Sequence, residues 1–195
     1  MSYSIDSTRD DCYEGTSVLI NKLDIRDEAL LKETETILTG VKAAELLGQP
    51  LKPSFSFDDY KQLHRELFGS LFAWAGEPRQ IALSKGATVF APPDDIAERG
   101  EKMFARLRSL RYFCGLPRAT FVREIADFYH TLNMLHPFRE GNGRTERVFF
   151  VQLIRNAGFD IDFDDLHSDL LMIGTIQAAA GVMDNLVAFF DTAIR

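Results

Sequence analysis

Apolar residues in this chain recur with a helical period, and that pattern constrains the fold more than any other feature. Tyr60, Leu63, His64, Leu67, Phe68, Leu71 and Phe72 follow the i, i+3, i+4, i+7 spacing that turns one stripe of a helix toward a core. Phe121, Ile125, Phe128, Tyr129, Leu132 and Leu135 repeat the spacing. This second helix should end at His136, because Pro137 pushes the residue before it out of the helical region. A further helix is expected from about Asn142 to Ala157, with Gly158 just past its end, and others near 27–47, 94–113, 165–180 and 183–194. One stretch breaks the period. Arg79–Leu83 and Thr88–Ala91 flank Ser84-Lys85-Gly86-Ala87, the pattern of a short β-hairpin with a glycine-containing turn, which Pro92-Pro93-Asp94 closes. With 195 residues, no internal repeat and no linker, the expectation is a single domain over 1–195, all-α, with one protruding hairpin.

Composition removes several classes of function. The longest apolar runs, such as Leu71–Ala75, fall far short of the roughly 20 residues of a membrane span. The first fifteen residues are polar and mixed in charge, unlike a secretory signal. Cys12 and Cys114 are too few and too far apart for a disulfide scaffold or a zinc cluster. A cytoplasmic protein is expected. The net charge of −7 argues against nucleic acid as a partner, since phosphates demand a basic surface. That charge is uneven: residues 156–195 hold seven Asp and one Arg, leaving residues 1–155 nearly neutral. Arg99–Arg123, with seven basic residues and one acid, reads as a solvated helix face, or else as a dock for an acidic partner. His64 reads as a satisfied core or boundary residue, Cys114 as a packing residue, and His130 and His167 have no ligand partners at metal-binding spacing.

The chemistry concentrates in His136-Pro-Phe-Arg-Glu-Gly-Asn-Gly-Arg-Thr-Glu-Arg147, between two of the expected helices. Gly141 and Gly143 could simply permit the turn, with Asn142 as N-cap of the second helix. That reading leaves the arginines unexplained. Arg144 and Arg147 stand three residues apart in the first turn of a helix, where the dipole already disfavours cations by up to about 1 kcal/mol. They make sense if an anion completes the site. Glycine-turn amides, helix dipole and two guanidinium forks together describe a polyphosphate cradle. Glu140 just before it would be repelled by phosphate unless a hard cation lies between, which points to Mg²⁺. His136 can take a proton from a hydroxyl nucleophile, and Phe138 packs the loop onto the core.

Those twelve residues match, position for position, the signature His-x-Phe-x-Asp/Glu-Gly-Asn-Gly-Arg-x-x-Arg, and the chain resembles the Fic family of protein nucleotidyltransferases. The likeness extends to Tyr13–Leu19, to Leu71–Gly76 with Trp74, and to the hairpin through Lys85-Gly86 and Phe90, covering about residues 10–194. It implies a Fic-type helical bundle with a β-hairpin flap, at about 79–91 here. It also implies transfer of AMP from Mg-ATP to a Ser, Thr or Tyr hydroxyl of a target protein, with release of pyrophosphate. On that likeness His136 is the general base and Glu140 the Mg²⁺ ligand. Gly141, Asn142 and Gly143 form the anion hole, and Arg144 and Arg147 hold the outer phosphates. The flap residues Ile81, Ala82, Leu83, Ser84, Lys85 and Gly86 would dock the target as an added strand. Family members that act as kinases resemble Asn-Lys-Arg where this chain has Asn142-Gly143-Arg144, which favours adenylylation.

Fic enzymes are commonly restrained by a helix with Ser/Thr-x-x-x-Glu-Gly/Asn, whose Glu pairs with the second motif arginine. Only Glu14 and Glu140 precede Gly or Asn here, and Asp10 and His136 stand four residues before them, so that brake is absent. The resemblance then points to a toxin whose small separate antitoxin supplies the inhibitory Glu opposite Arg147. An unregulated member fits the same absence. Other readings are another Fic-type transfer, of a different nucleotide or a phosphoryl group, a non-enzymatic interaction module, and, more distantly, a DNA-binding helix-turn-helix, against which the acidity counts.

Overall fold

A computed structural model describes residues 4–5, 11–50, 54–163 and 168–195. Its helices are α1 (Glu28–Leu47), α2 (Phe57–Phe68), α3 (Ile96–Ser109), α4 (Arg118–Leu135), α5 (Asn142–Asn156), α6 (Ser168–Ala179) and α7 (Asp184–Ala193). Local chemistry sets several of the boundaries. The Asp27 side chain accepts from the N–H of Leu30 to start α1. Ser56 and Asp59 form a reciprocal capping box at the start of α2. The stripe expected on α2 is buried, but the helix stops at Gly69, so Leu71 and Phe72 reach the same core from the turn beyond it. The helix expected over 94–113 is shorter: Arg111, Tyr112 and Phe113 take positive φ, which breaks the helical path after Ser109. The start of the helix expected at 165, and His167 with it, lie outside the described residues.

Phenylalanine fills the centre. Phe149 on α5 meets Tyr60 (5.3 Å between centroids), Phe104 (5.6 Å) and Phe55 (5.8 Å) edge-on, an arrangement the ring quadrupoles favour. Helices α2, α4 and α5 thus share one core, with α3 on one side and α7 on the other. The basic run is exposed and ion-paired: Arg99 with Asp95, Lys102 with Glu98, and Arg106 with Glu124. Arg118 reaches the acidic C-terminal segment at Asp191. Such pairs explain the run as a solvated face. Among the described residues no helix is long and apolar enough to cross a membrane.

The hairpin forms with narrower limits than expected. Strand β2 (Leu83–Lys85) pairs antiparallel with β3 (Thr88–Val89), with Ser84 opposite Val89 and Lys85 opposite Thr88. The turn is therefore Gly86-Ala87 alone, with Gly86 at φ 59°, the glycine-first geometry that suits a two-residue hairpin. Arg79 to Ala82 lie outside the ladder, because Arg79 is held elsewhere. The sheet also has a third member: β1 (Ser4–Ile5) lies antiparallel along the other edge of β2, with Ser4 opposite Ser84 and Ile5 opposite Leu83.

Candidate active site

The site is built on the chain reversal between α4 and α5. His136 ends α4 in the left-handed region (φ 45°, ψ 59°), not in the extended conformation that a following proline ordinarily favours. Its N–H still bonds the carbonyl of Leu132. Its ring stacks on Phe90 at 3.8 Å and 9°, and Nδ1 lies 3.3 Å from the carbonyl oxygen of Asn133. A carbonyl can only accept, so Nδ1 carries the proton and Nε2 the lone pair. Burial pushes the imidazole pKa down to about 3, and nearby Arg79 and Lys85 push the same way, so His136 is neutral at ordinary pH.

Six residues later the loop is closed by Asn142. Its side chain accepts from the N–H of Phe138 (2.9 Å) and donates to the carbonyl of Phe138 (2.7 Å), and Asn142 is fully buried. Asn142, expected as the N-cap, is thus the first residue of α5 and the clasp of the loop, and Gly141 takes the N-cap position instead. Gly141 has φ 81°, and a Cβ on it would lie 2.4 Å from the Phe68 ring, so both conformation and space require glycine. The first intrahelical bond runs from Thr145 to Gly141, which leaves the amides of Asn142, Gly143 and Arg144 pointing out of the helix start. A Cβ on the exposed Gly143 would meet no protein atom. Arg144 and Arg147 line a cavity of about 390 Å³ against Thr39 and Gly40 of α1.

The Glu140 carboxylate accepts from the amide of Gly141 (2.9 Å) and lies 3.5 Å from Arg144. It thereby faces the cradle, and one hard-oxygen ligand beside phosphate oxygens is a donor set that fits Mg²⁺. Among the described residues no group of three or more His, Cys, Asp or Glu is placed to hold a metal. An ion shared between one carboxylate and a triphosphate needs none. Phe138 is buried and stacks between His64 (3.8 Å) and Tyr60 (5.5 Å).

Two supports of this loop were not assigned a role from the sequence. His64 is the satisfied core residue its place on α2 suggests, but it is satisfied by the loop itself. Its Nδ1 accepts from the amide of Gly76 (2.9 Å) and its Nε2 donates to the carbonyl of Glu140 (2.9 Å). Burial lowers its pKa to about 4, so this neutral, two-sided bridge persists across the physiological range. Arg79 is 3% exposed, and its guanidinium donates to His136 (2.8 Å), Ile81 (2.5 Å), Ala91 (2.6 Å) and Leu135 (3.5 Å) carbonyls. It ties the flap's two ends to the backbone of His136. Burial draws its pKa down to about 10, which leaves it charged. The amide of Arg79 also bonds Pro137, and that of Ala91 bonds Met134. A lone arginine ahead of a strand carries no periodic signal, which is why the sequence concealed it. The flap residues are brought to the site: Leu83 is buried, Ser84 half-buried, and Lys85 and Gly86 exposed, while Phe90 covers His136.

Comparison with known proteins follows the same residues. Residues 54–154, about half of the chain and including the whole motif, match the Fic/DOC family. The chain belongs to that family. It is 33% identical over 178 residues to a probable protein adenylyltransferase, y4lH, of Sinorhizobium fredii, covering 91% of each chain. It is 33% identical over 173 residues to the protein adenylyltransferase VbhT of Bartonella schoenbuchensis, matching 89% of this chain but 36% of that longer protein. Among solved structures, the BepC protein of Bartonella tribocorum with bound AMPPNP superposes with a TM-score of 0.87 at 25% identity, over 95% of this chain and 96% of that one. The described residues therefore show the Fic architecture, a helical bundle with an antiparallel hairpin. Within it, Arg139, the variable fourth position of the motif, is ion-paired with Asp11 and anchors the N-terminal segment beside the loop.

Proposed function

We propose that the chain is a protein adenylyltransferase that transfers AMP from ATP to a hydroxyl of a target protein. The observation that carries this reading is the pairing of a neutral, Nδ1-protonated His136 with the amides and arginines at the start of α5. The triphosphate would lie against the amides of Asn142, Gly143 and Arg144, with Arg144 and Arg147 on its outer phosphates. The bare Gly143 lets phosphate oxygens approach the backbone closely. Mg²⁺, held by Glu140 and the phosphates, would offset their charge. The target hydroxyl oxygen attacks the α-phosphorus and gives its proton to His136 Nε2. The bond from the α-phosphorus to the bridging oxygen breaks, and pyrophosphate leaves with that electron pair. Catalysis here is positioning and charge stabilisation by groups already in place. The anionic triphosphate itself raises the basicity of the adjacent imidazole from its low resting value.

The flap supplies the second substrate. Phe90 donates its amide to the Leu83 carbonyl (3.2 Å), so antiparallel alternation turns the N–H and C=O of Ser84 away from β3. That outer edge of Leu83–Lys85, along which β1 lies, suits an extended target segment that would take the place of Ser4–Ile5 beside His136. A Ser, Thr or Tyr side chain on such a strand supplies the hydroxyl. Toxin-like activity held by a small antitoxin remains part of this proposal: Arg147 lines the cavity against α1, and an inhibitory Glu from a separate protein would pair with it there. The same reading includes a cytoplasmic setting, where ATP and Mg²⁺ are abundant.

The deciding experiment incubates the protein with cell lysate and ATP labelled at the α or the γ phosphate, alongside His136→Ala. Transfer of α label alone, reduced by about 10²–10⁴-fold in the variant, supports adenylylation. Transfer of γ label identifies a phosphoryl transferase instead.

A further inference from the structure

The core-facing stripe of α1 contains a residue that does not belong in a core. Leu31, Glu35, Thr39 and Leu46 are the buried positions of that helix, and Glu35 is only 8% exposed. A carboxylate so placed is costly unless it is paired, and burial raises its pKa accordingly. Its partner is Arg144, the first motif arginine, with which it forms a direct ion pair. The guanidinium is held on further sides as well: its face lies 4.8 Å from the centre of the Phe68 ring, and Glu140 stands 3.5 Å away. Arg144 is thereby fixed before any nucleotide arrives. A guanidinium is planar and carries five N–H donors, so a carboxylate on one edge leaves other donors to point at phosphate.

We infer that Glu35 is the positioning residue for Arg144: from α1 it locks the guanidinium in the orientation that receives the triphosphate. The inference rests on the reading that Arg144 holds ATP. It brings α1, which lies entirely ahead of residues 54–154, into the nucleotide site. It also explains why a buried stripe accepts an acid: a local rule of packing is broken where the chemistry gains from a preset charge. The sequence conceals this residue, because Lys32-Glu33-Thr34-Glu35 reads as a solvated charge run. The pattern Ser/Thr-x-x-x-Glu-Gly/Asn is not met either, since Leu31 stands four residues before Glu35 and Thr36 after it. Glu35 is not the brake of that pattern.

The test is calorimetric titration with AMPPNP and Mg²⁺, which does not depend on finding the target, joined to a melting curve for each variant. Glu35→Ala should weaken AMPPNP binding about 10-fold, as expected when a charged contact is left free to swing. Glu35→Asp keeps the charge but draws it back by one methylene, and should behave like Ala. Glu35→Gln retains an acceptor at full reach and should stay within about 3-fold of the parent. In an Arg144→Ala background Glu35→Ala should add no further loss, because the two changes remove one interaction. Once a target is labelled, KM for ATP should rise in Glu35→Ala while KM for target stays unchanged. Unaltered affinity in Glu35→Ala overturns the inference. So does tighter binding in Ala or Gln, which would make Glu35 a restraint on Arg144, or an equal loss with and without Arg144, which would make it a packing residue. If Arg144→Ala itself leaves AMPPNP affinity unchanged, the cradle reading fails first, and the inference with it.

Discussion

The loop joining α4 to α5 and the hairpin that covers it sit against each other, yet they are held in opposite ways. In the loop, Asn142 binds both backbone groups of Phe138, His64 takes the Glu140 carbonyl, and Arg79 takes the His136 carbonyl. The Asn142, His64 and Arg79 side chains are buried, so each bond would be costly to leave unmade. The hairpin has strands of three and two residues, with Val89 largely exposed and a turn in solvent. Its internal pairing alone would be marginal in water. The difference separates two tasks. On the proposed function, a cradle that would meet a triphosphate without rearranging needs the first kind of construction, and an edge that would accept strands of differing sequence needs the second. Arg79 is where they join.

Breaking the join should have the largest effect. Arg79→Lys leaves most of the four carbonyls without a donor, since an ammonium lacks the fork that reaches them. A loss of about 3 kcal/mol in folding stability is expected, read from denaturant unfolding, together with a fall in transfer of about 10²-fold at temperatures where the variant is folded. Ser84→Pro isolates the flap. It deletes an N–H on the outer edge of β2 but none of the bonds to β3, so target labelling should fall about 10-fold while AMPPNP affinity is unchanged. Equal loss of both would mean that the hairpin supports the cradle and not the target.

The smallest effect isolates the buried underside of the loop. Glu146 lies between the two motif arginines yet points into the core beside Tyr129, and burial pushes its pKa up to about 8. The folded state keeps a proton that the unfolded chain releases near pH 4.5, so stability should fall as pH rises from about 4.5 to about 8. Glu146→Gln imitates the protonated acid and removes that slope. Its melting temperature should match the parent at about pH 5 and exceed it by a few degrees at about pH 9. ATP binding and labelling should not change.

How much of this was legible in the sequence follows the same division. The helices and the motif are written in short-range terms, as apolar spacing, Pro137 and a run of twelve residues, and the structure has α4 ending at Leu135 and α5 spanning Asn142–Asn156. The supports are long-range and leave no local mark. Arg79 acts across 57 positions on His136, and His64 across 76 on Glu140. Both look like ordinary residues of their own segments. Asn142 was misplaced as a cap for a similar reason: an asparagine at a helix start usually bonds the helix, and here it bonds the loop behind it. The hairpin limits differ because Ile81 is strand-like in type, while its carbonyl is committed to Arg79.

A strand has two edges, and β2 has neither open: β3 lies on one and the chain's own Ser4–Ile5 on the other. On the proposed function, docking at Ser84 would therefore be an exchange reaction and not an addition. The leaving strand is tethered, so its local concentration stays in the millimolar range however far the protein is diluted. An incoming strand competes with that fixed quantity, and at saturating peptide its association is limited by the rate at which Ser4–Ile5 lets go. Any screen for targets that scores apparent affinity on the full chain reports the difference between two strands, not the strength of one.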